Sequence, residues 1–453
     1  MEWELILEVG REPGQSLYLA IARALSEAVR DGRLSEGTRL PSSRQLAEAL
    51  KVQRNTVVAA YEELEAEGWI ESHERRGTFV AAQTVRSPSP ARGTPGERCA
   101  FALPPPIAGP PRPPDVPFPL SGGLPDLNLV PRDALARAYR RVLRRSPSLL
   151  GYHHPAGHPK LRAEVASLLR RYRGLRVGAD EVFITSGAQM ALFLVGQLLL
   201  RGSQGTDVAV ESLGYPPAWS AFESGGARLH AVPIDDEGIR VDALSQLVHR
   251  LESRGRGLRA VYVTPHHQYP TMVLMSPSRR LALLALAAEH RFAVVEDDYD
   301  NEIHYAGQPV LPIASSDRHG SVLYIGTLSK VLAPGLRLGY IVAPRAVIEH
   351  LTHLRRVLDH QGSHAQEAAV AELFEEGEVQ RHVRRVRKLY AERRGVLAYA
   401  LERELGEVVD FDLPAGGLAL WVKVAEVCPS DWADRALERG VAMVPGRELN
   451  LAR

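Results

Sequence analysis

Gly326-Thr327-Leu328-Ser329-Lys330 stands between the apolar run Val322 to Ile325 and the glycine-punctuated run Ala333-Pro334-Gly335-Leu336-Arg337-Leu338-Gly339. The lysine is flanked by the hydroxyls of Thr327 and Ser329, and Arg337 follows seven residues on. Upstream, Phe292-Ala293-Val294-Val295 leads into Glu296-Asp297-Asp298-Tyr299-Asp300, whose Asp297 precedes Lys330 by 33 residues, one strand–helix–strand length. A lysine can bond an aldehyde as an imine, hydroxyls and an arginine can hold a phosphate, and a carboxylate can keep a pyridine nitrogen protonated. Together these are the groups that pyridoxal phosphate chemistry requires.

At 453 residues the chain is too long for one ordinary core, and two or three domains are expected. Its 45% apolar and 24% charged residues are those of a globular protein. Met1-Glu2-Trp3-Glu4-Leu5 has neither a basic start nor a continuous apolar stretch, so no signal peptide is read. The longest apolar run, Leu281 to Ala288, is eight residues, against the roughly twenty that a membrane span needs. The two cysteines, Cys99 and Cys428, are far apart and show no metal-ligand spacing. A reducing cytoplasm is expected, with no metal and no membrane partner. A net charge of +1 is silent about nucleic acid, so that case rests on local features.

Twelve of the 32 prolines fall between Gln83 and Leu120, including Pro104-Pro105-Pro106. Such a stretch makes a semi-rigid spacer rather than a helix or central strand. The expected organisation is a head over 1–82, a linker over 83–119 and a body over 120–453, with a small C-terminal subdomain from about 345. The body alternates β-branched runs with amphipathic ones: strands at Val182 to Thr185, Asp207 to Val210, Ala260 to Thr264 and Phe292 to Glu296, and helices at Ala188 to Leu200 and around Ser278 to His290. A further strand is read over Glu211 to Gly214, ahead of Tyr215. That alternation predicts an α/β fold with a mainly parallel sheet and active residues at the strands' carboxyl ends.

The head reads differently. Ser16 caps a helix with Leu17, Ile21, Leu25, Ala28 and Val29 on one face; Leu40-Pro41-Ser42-Ser43 caps a short helix, Arg44 to Leu50; a longer helix runs from Arg54 to Gly68. Trp69 to Glu71 and Thr78 to Val80 make a hairpin around Glu74-Arg75-Arg76-Gly77. Three helices and a hairpin wing make a winged helix-turn-helix, whose third helix enters the major groove. Residues 1–80 hold 10 Lys/Arg against 14 Asp/Glu, so the head is not basic overall. Its cations gather where DNA would lie, at Arg39, Arg44, Lys51, Arg54, Arg75 and Arg76, whereas Glu62, Glu63, Glu65 and Glu67 sit at the far end of the third helix.

Leu40 to Ala47, Arg54 to Val57 and Gly77 to Val80 match the Leu-Pro-Ser-x-Arg-x-Leu-Ala, Arg-x-Thr-Val and Gly-Thr-Phe-Val pattern of the GntR family of bacterial regulators. The resemblance implies that Arg44, Arg54 and Thr56 contact phosphates or base edges and that the wing near Gly77, with Arg75 and Arg76, approaches the minor groove. Gln53 and Asn55 are further candidates at the helix start. The body resembles fold-type I aminotransferases, on the lysine motif and on Tyr152-x-x-Pro155-Ala156-Gly157-His158-x-x-Leu161-Arg162, Thr185-Ser186-Gly187-Ala188-Gln189, Gly214-Tyr215-Pro216 and Thr264-Pro265-x-His267-Gln268-x-Pro270. Head, linker and body together resemble the MocR subgroup of GntR regulators.

By that resemblance Lys330 carries the cofactor and Asp297 pairs with its pyridine nitrogen, with Asp298 and Asp300 as competitors. Tyr299 donates to the phenolic oxygen and Tyr215 stacks on the ring. Ser186, Gly187, Ala188 and Gln189, between a strand and a helix, form an anion cradle with Thr327, Ser329 and Arg337. Tyr152 reaches the phosphate of a second subunit, which implies a homodimer, and His267 and Gln268 lie near the ring. His153, His154 and His158 read as structural. Two positions depart from the pattern. Members sensing GABA are expected to carry an arginine where this chain has Pro217, and the carboxylate-binding arginine strand and final helix of the family are not found in Glu448-Leu449-Asn450-Leu451-Ala452-Arg453, where Arg447 and Arg453 are the nearest substitutes. The expected function is a promoter-DNA-binding regulator that senses pyridoxal phosphate or an amine or amino acid, controlling vitamin B6 or amino-acid metabolism genes. The alternative is an aminotransferase with an accessory DNA-binding head.

Overall fold

The computed structural model describes residues 9–10, 14–82, 101–103, 115–120, 123–202, 206–305, 310–425 and 427–451. Most of the proline-rich spacer, Cys99 and Arg453 lie outside the described residues. The chain divides into two compact units, Met1–Pro105 and Pro106–Arg453.

In the first unit, α1 (Leu17–Arg30), α2 (Ser43–Ala49) and α3 (Arg54–Ala66) pack Ile21, Leu25, Ala28, Leu46, Val57 and Leu64 into one core. Ser42 caps α2 reciprocally: its hydroxyl accepts from Gln45 N at 3.3 Å, and its own N–H donates to the Gln45 side chain at 2.9 Å. This satisfies two of the donors that a helix start leaves open. Tyr61 on α3 donates to the Pro41 carbonyl at 2.8 Å and so fixes the angle between α2 and α3. β1 (Ile70–His73) and β2 (Gly77–Val80) pair antiparallel as the wing, which Glu65 of α3 holds by accepting from Ser72 N at 3.1 Å. The wing turn needs glycine at 77, where φ is +103° and a Cβ would stand 3.1 Å from Arg39 Nε. The third helix is shorter than expected, because Gly68 turns the chain away at φ +78°.

The second unit is built on seven strands: β3 (Val182–Thr185), β4 (Asp207–Glu211), β5 (Arg228–Val232), β6 (Leu258–Val263), β7 (Ala293–Asp298), β8 (Val322–Thr327) and β9 (Gly339–Val342). Their order in the sheet is β3-β9-β8-β7-β6-β4-β5, with β9 antiparallel to both neighbours and the other pairings parallel. Alternate residues feed two cores. Val182, Ile184, Val261, Val263, Val294 and Tyr324 face α4 (Arg132–Arg145), α5 (Pro159–Arg173), α8 (Val241–Glu252), α9 (Pro277–His290) and α11 (His364–Glu375). Phe183, Val208, Ala260, Tyr262, Val295 and Ile325 face α6 (Ala188–Leu200), α7 (Pro216–Ser224) and α10 (Arg345–Leu358). Both faces are covered, which is why the central strands read as continuous apolar runs.

Three expectations change. β7 runs on through Asp297 and Asp298, so the acids sit on the strand rather than beyond it. No strand spans 211–214: β4 ends at Glu211, and Leu213 instead makes an isolated antiparallel bridge with Asn450, with Gly214 N donating to Leu449 O at 2.9 Å. The boundary expected near 345 falls inside the sheet's own helical layers, since Ile348 and Leu351 of α10 and Ala368 to Phe374 of α11 belong to the two cores. A separate small core, Ile303, Val386 and Tyr390, begins with α12 (Glu378–Leu405). Among the described residues no helix is long and apolar enough to cross a membrane.

Candidate cofactor site and nucleic-acid interface

Strand alternation sorts the acids of β7. Asp298 lies on the face of Tyr324, whose hydroxyl donates to it at 2.7 Å, and it is ion-paired with the buried Arg173. Burial opposes its charge, but Arg173, His266 and the Tyr324 bond outweigh that and hold its carboxyl below the usual range. Asp297 points to the opposite face, where Tyr262 of β6 donates to Oδ2 at 2.9 Å and the buried Oδ1 has no partner. Burial, with Asp298 and Asp300 nearby, pushes Asp297 up to about 7 despite the Tyr262 bond. Asp300, beyond the strand, binds His267 Nδ1 at 2.8 Å. Each of the three keeps one buried oxygen without a partner, and Asp297 and Asp300 both act on Lys330; Asp297 differs in being engaged by a tyrosine hydroxyl alone, where Asp298 holds Arg173 and Asp300 holds His267.

Lys330 follows the end of β8, in the neighbouring strand that Asp297 pairs with at Ile325. Its ammonium donates to the Gly123 carbonyl, and burial pulls its pKa down, with Asp300 and Asp297 opposing. A half-buried lysine held nearer to neutrality is a better nucleophile than a solvated one. The anion cradle is also assembled. Gly187 joins β3 to α6 at φ +85°, and a Cβ there would lie 3.1 Å from the Arg337 guanidinium. Arg337, itself at φ +47°, donates to the Ser186 carbonyl at 2.9 Å, while Thr327 Oγ1 accepts from Ser329 N at 3.1 Å. Gln189 is turned aside, donating to Pro217 O at 2.7 Å. Open backbone N–H groups at a helix start, a guanidinium and two hydroxyls suit a phosphate.

Tyr215 caps α7 and meets Tyr269 edge-on, ring centroids 5.6 Å apart; burial, with Asp297 adding, pushes its hydroxyl up to about 12. Tyr299 does not meet Asp297: its hydroxyl donates to the His267 carbonyl at 3.1 Å. His267 engages Asp300 rather than the Asp297 side, and Tyr152 is 86% exposed, outside the pocket of its own subunit. Two residues escaped the sequence reading. Tyr262 looks like any aromatic in an apolar strand. Glu211 ends β4, accepts from Thr264 N at 3.2 Å and Oγ1 at 2.8 Å, and is pushed up to about 7 by burial. Only strand register brings either to the site. Asp297's orphaned oxygen, the half-buried Lys330 amine and the glycine-lined cradle fit pyridoxal phosphate.

In the head, Gln53, Arg54 and Asn55 are exposed at the start of α3, with Thr56 half-buried behind them. Arg54 Nε donates to Ser43 Oγ at 3.3 Å, which ties it to the exposed Arg44 side of α2. Arg75 and Arg76 are exposed at the wing tip, and Arg39 bridges to Phe79 beneath them. Cations and amides thus share one side of the reading helix, the arrangement of a groove-binding surface.

A parallel sheet with a lysine, an aspartate and a helix-start cradle at its carboxyl edge defines a pyridoxal-phosphate protein of the fold-type I class, here carrying a winged helix-turn-helix head. Residues 119–453 match the aminotransferase class I and II family and residues 17–80 match the bacterial regulatory proteins of the gntR family. The chain is 32% identical over 449 residues to the "Probable rhizopine catabolism regulatory protein MocR" of Rhizobium meliloti, covering 97% of this chain and 88% of that one. It is 35% identical to the 2-aminoadipate transaminase of Thermus thermophilus over 332 residues, 72% of this chain and 80% of the other. The crystal structure of Pyrococcus horikoshii kynurenine aminotransferase in complex with PMP superposes with a TM-score of 0.69 at 33% identity, covering 74% of this chain and 83% of that one. The chain belongs to the GntR-type regulators with an aminotransferase-like body, the MocR family, and its cofactor is pyridoxal phosphate.

Proposed function

We propose that this regulator binds promoter DNA as a homodimer and changes its DNA affinity when the body takes up pyridoxal phosphate and then a primary amine or amino acid. The observation that carries this reading is the half-buried Lys330, within electrostatic reach of the Asp297 carboxylate, on the same chain as three helices and a hairpin wing. Bound there, pyridoxal phosphate supplies an aldehyde that condenses with amines and a ring that draws electrons from the adjoining bonds. Lys330 provides the attaching amine. Asp297 Oδ1 would accept a hydrogen bond from the protonated pyridine nitrogen, which keeps its proton, and that cation would favour the ionised carboxylate which burial alone disfavours. Arg337, Thr327, Ser329 and the 186–189 turn hold the phosphate. Tyr215 would cover the ring, and Tyr299, whose hydroxyl donates to the His267 carbonyl in this structure, would serve the phenolic oxygen. The exposed Tyr152 serves the partner's phosphate site.

Pro217 offers no cation for a ligand carboxylate, so amine chemistry, more than carboxylate recognition, selects the effector. The test is a panel of primary amines and amino acids added to cofactor-loaded protein, scored by visible absorption and by promoter affinity. A ligand that moves both is an effector. If none moves DNA affinity while loading with pyridoxal phosphate does, pyridoxal phosphate itself is the signal. The intact Lys330–Asp297 pair favours a second reading, an aminotransferase with an accessory head; steady-state turnover of an amino acid with a keto acid, at a rate indifferent to DNA, would select it.

A further inference from the structure

Three histidines next to the cofactor pocket have no place in this account. His266 and His267 follow the end of β6, and His304 stands in the segment after β7, where its backbone bridges to Gly416. They are 2%, 3% and 7% exposed. One ring nitrogen from each lies within 4.8 Å of the others, and the ring centroids are 4.5 Å (266–267), 5.6 Å (266–304) and 5.9 Å (267–304) apart. His267 Nδ1 is bound to the carboxylate of Asp300, itself 1% exposed, so Nδ1 carries the proton and Nε2 presents a lone pair that no protein group uses. Neither ring nitrogen of His266 has a protein partner. A carboxylate behind one imidazole, fixing its tautomer and raising its basicity, is the usual support of a metal-bound histidine. Gly416 packs against the His267 ring, where a Cβ would lie 2.5 Å from Nε2.

We propose that His266, His267 and His304 bind one divalent transition-metal ion of the zinc type through three imidazole nitrogens, with Asp300 orienting His267. Three neutral nitrogen donors and no thiolate suit zinc, cobalt or nickel and not magnesium or calcium. Nitrogens on one tetrahedral zinc, at about 2.0–2.1 Å from the metal, stand roughly 3.4 Å apart. Binding therefore draws the three rings inward by small side-chain rotations. The site does not depend on the effector reading, because it needs neither amine nor DNA.

Full-length protein is stripped with a chelator, dialysed, and titrated with zinc chloride by calorimetry and with cobalt chloride by visible absorption. One equivalent per chain is expected, with the absorption of tetrahedral cobalt. His266→Gln or His304→Gln should weaken that binding at least 100-fold, Asp300→Asn by about 10- to 100-fold, and His153→Gln, in a separate histidine group, not at all. Anomalous diffraction at the zinc edge from wild-type crystals needs no variant, and should put a peak among the three rings. No zinc taken up by the wild type, a peak elsewhere, or one equivalent retained in both glutamine variants would overturn the site.

Discussion

At the residue scale, the body depends on which way single side chains point. Lys330→Ala should abolish the visible absorption of cofactor-loaded protein while the far-ultraviolet spectrum stays unchanged; a surviving band would move the attachment to another lysine. Asp297→Asn should keep the cofactor but slow its reaction with amines, and Asp298→Asn should instead destabilise the fold by stranding Arg173. The raised pKa of Asp297 has a sign that can be tested without cofactor. Between its ordinary 3.8 and about 7, the folded body holds a proton that the unfolded chain has released. Its contribution to stability therefore falls as pH rises through that window. Asp297→Asn removes the effect, so its melting temperature relative to wild type should be higher at pH 8 than at pH 5; an equal difference at both would show that Asp297 does not titrate there. Lys330 was legible in the sequence because hydroxyls and an arginine surround it locally. Tyr262 and Glu211 were not, because their meaning comes from hydrogen-bond partners 35 and 53 residues away.

At the scale of elements, the start of α6 is the sensitive one. Gly187 sits at φ +85° against Arg337, so Gly187→Ala imposes about 1–3 kcal/mol of backbone strain at the place where the phosphate is held. The ratio of pyridoxal phosphate to pyridoxal affinity should drop tenfold or more; an unchanged ratio would place the phosphate elsewhere. In the head, Arg44→Ala on α2 should weaken cognate and scrambled DNA alike and lower the salt slope by about one. Asn55→Ala on α3 should cost about 1–3 kcal/mol on the cognate site alone; equal losses on both DNAs would reject base reading by Asn55. The head's helices were readable from caps and apolar spacing. The end of β7 was not, since two aspartates look like a loop until Tyr262, Tyr324 and Arg173 are seen to receive them. The chain segment 449–451 was equally hidden: its pairing beside Leu213 is a long-range contact with no local pattern.

At the scale of the whole molecule, a cofactor can alter DNA binding only by as much as it binds one state of the body better than another. Couplings of this kind are typically about 1–3 kcal/mol, or roughly 5- to 150-fold. For the proposed dimer, two heads reading two half-sites are expected. The most direct measurement is a titration of promoter DNA with the full chain, cofactor-free and loaded with pyridoxal phosphate, at one salt concentration, with Lys330→Ala alongside. Loading should shift the affinity roughly 5- to 150-fold in the wild type, and not at all in Lys330→Ala. Identical titrations for the cofactor-free and the loaded wild type, the loaded form tested with and without every amine that changes its visible absorption, would contradict that coupling.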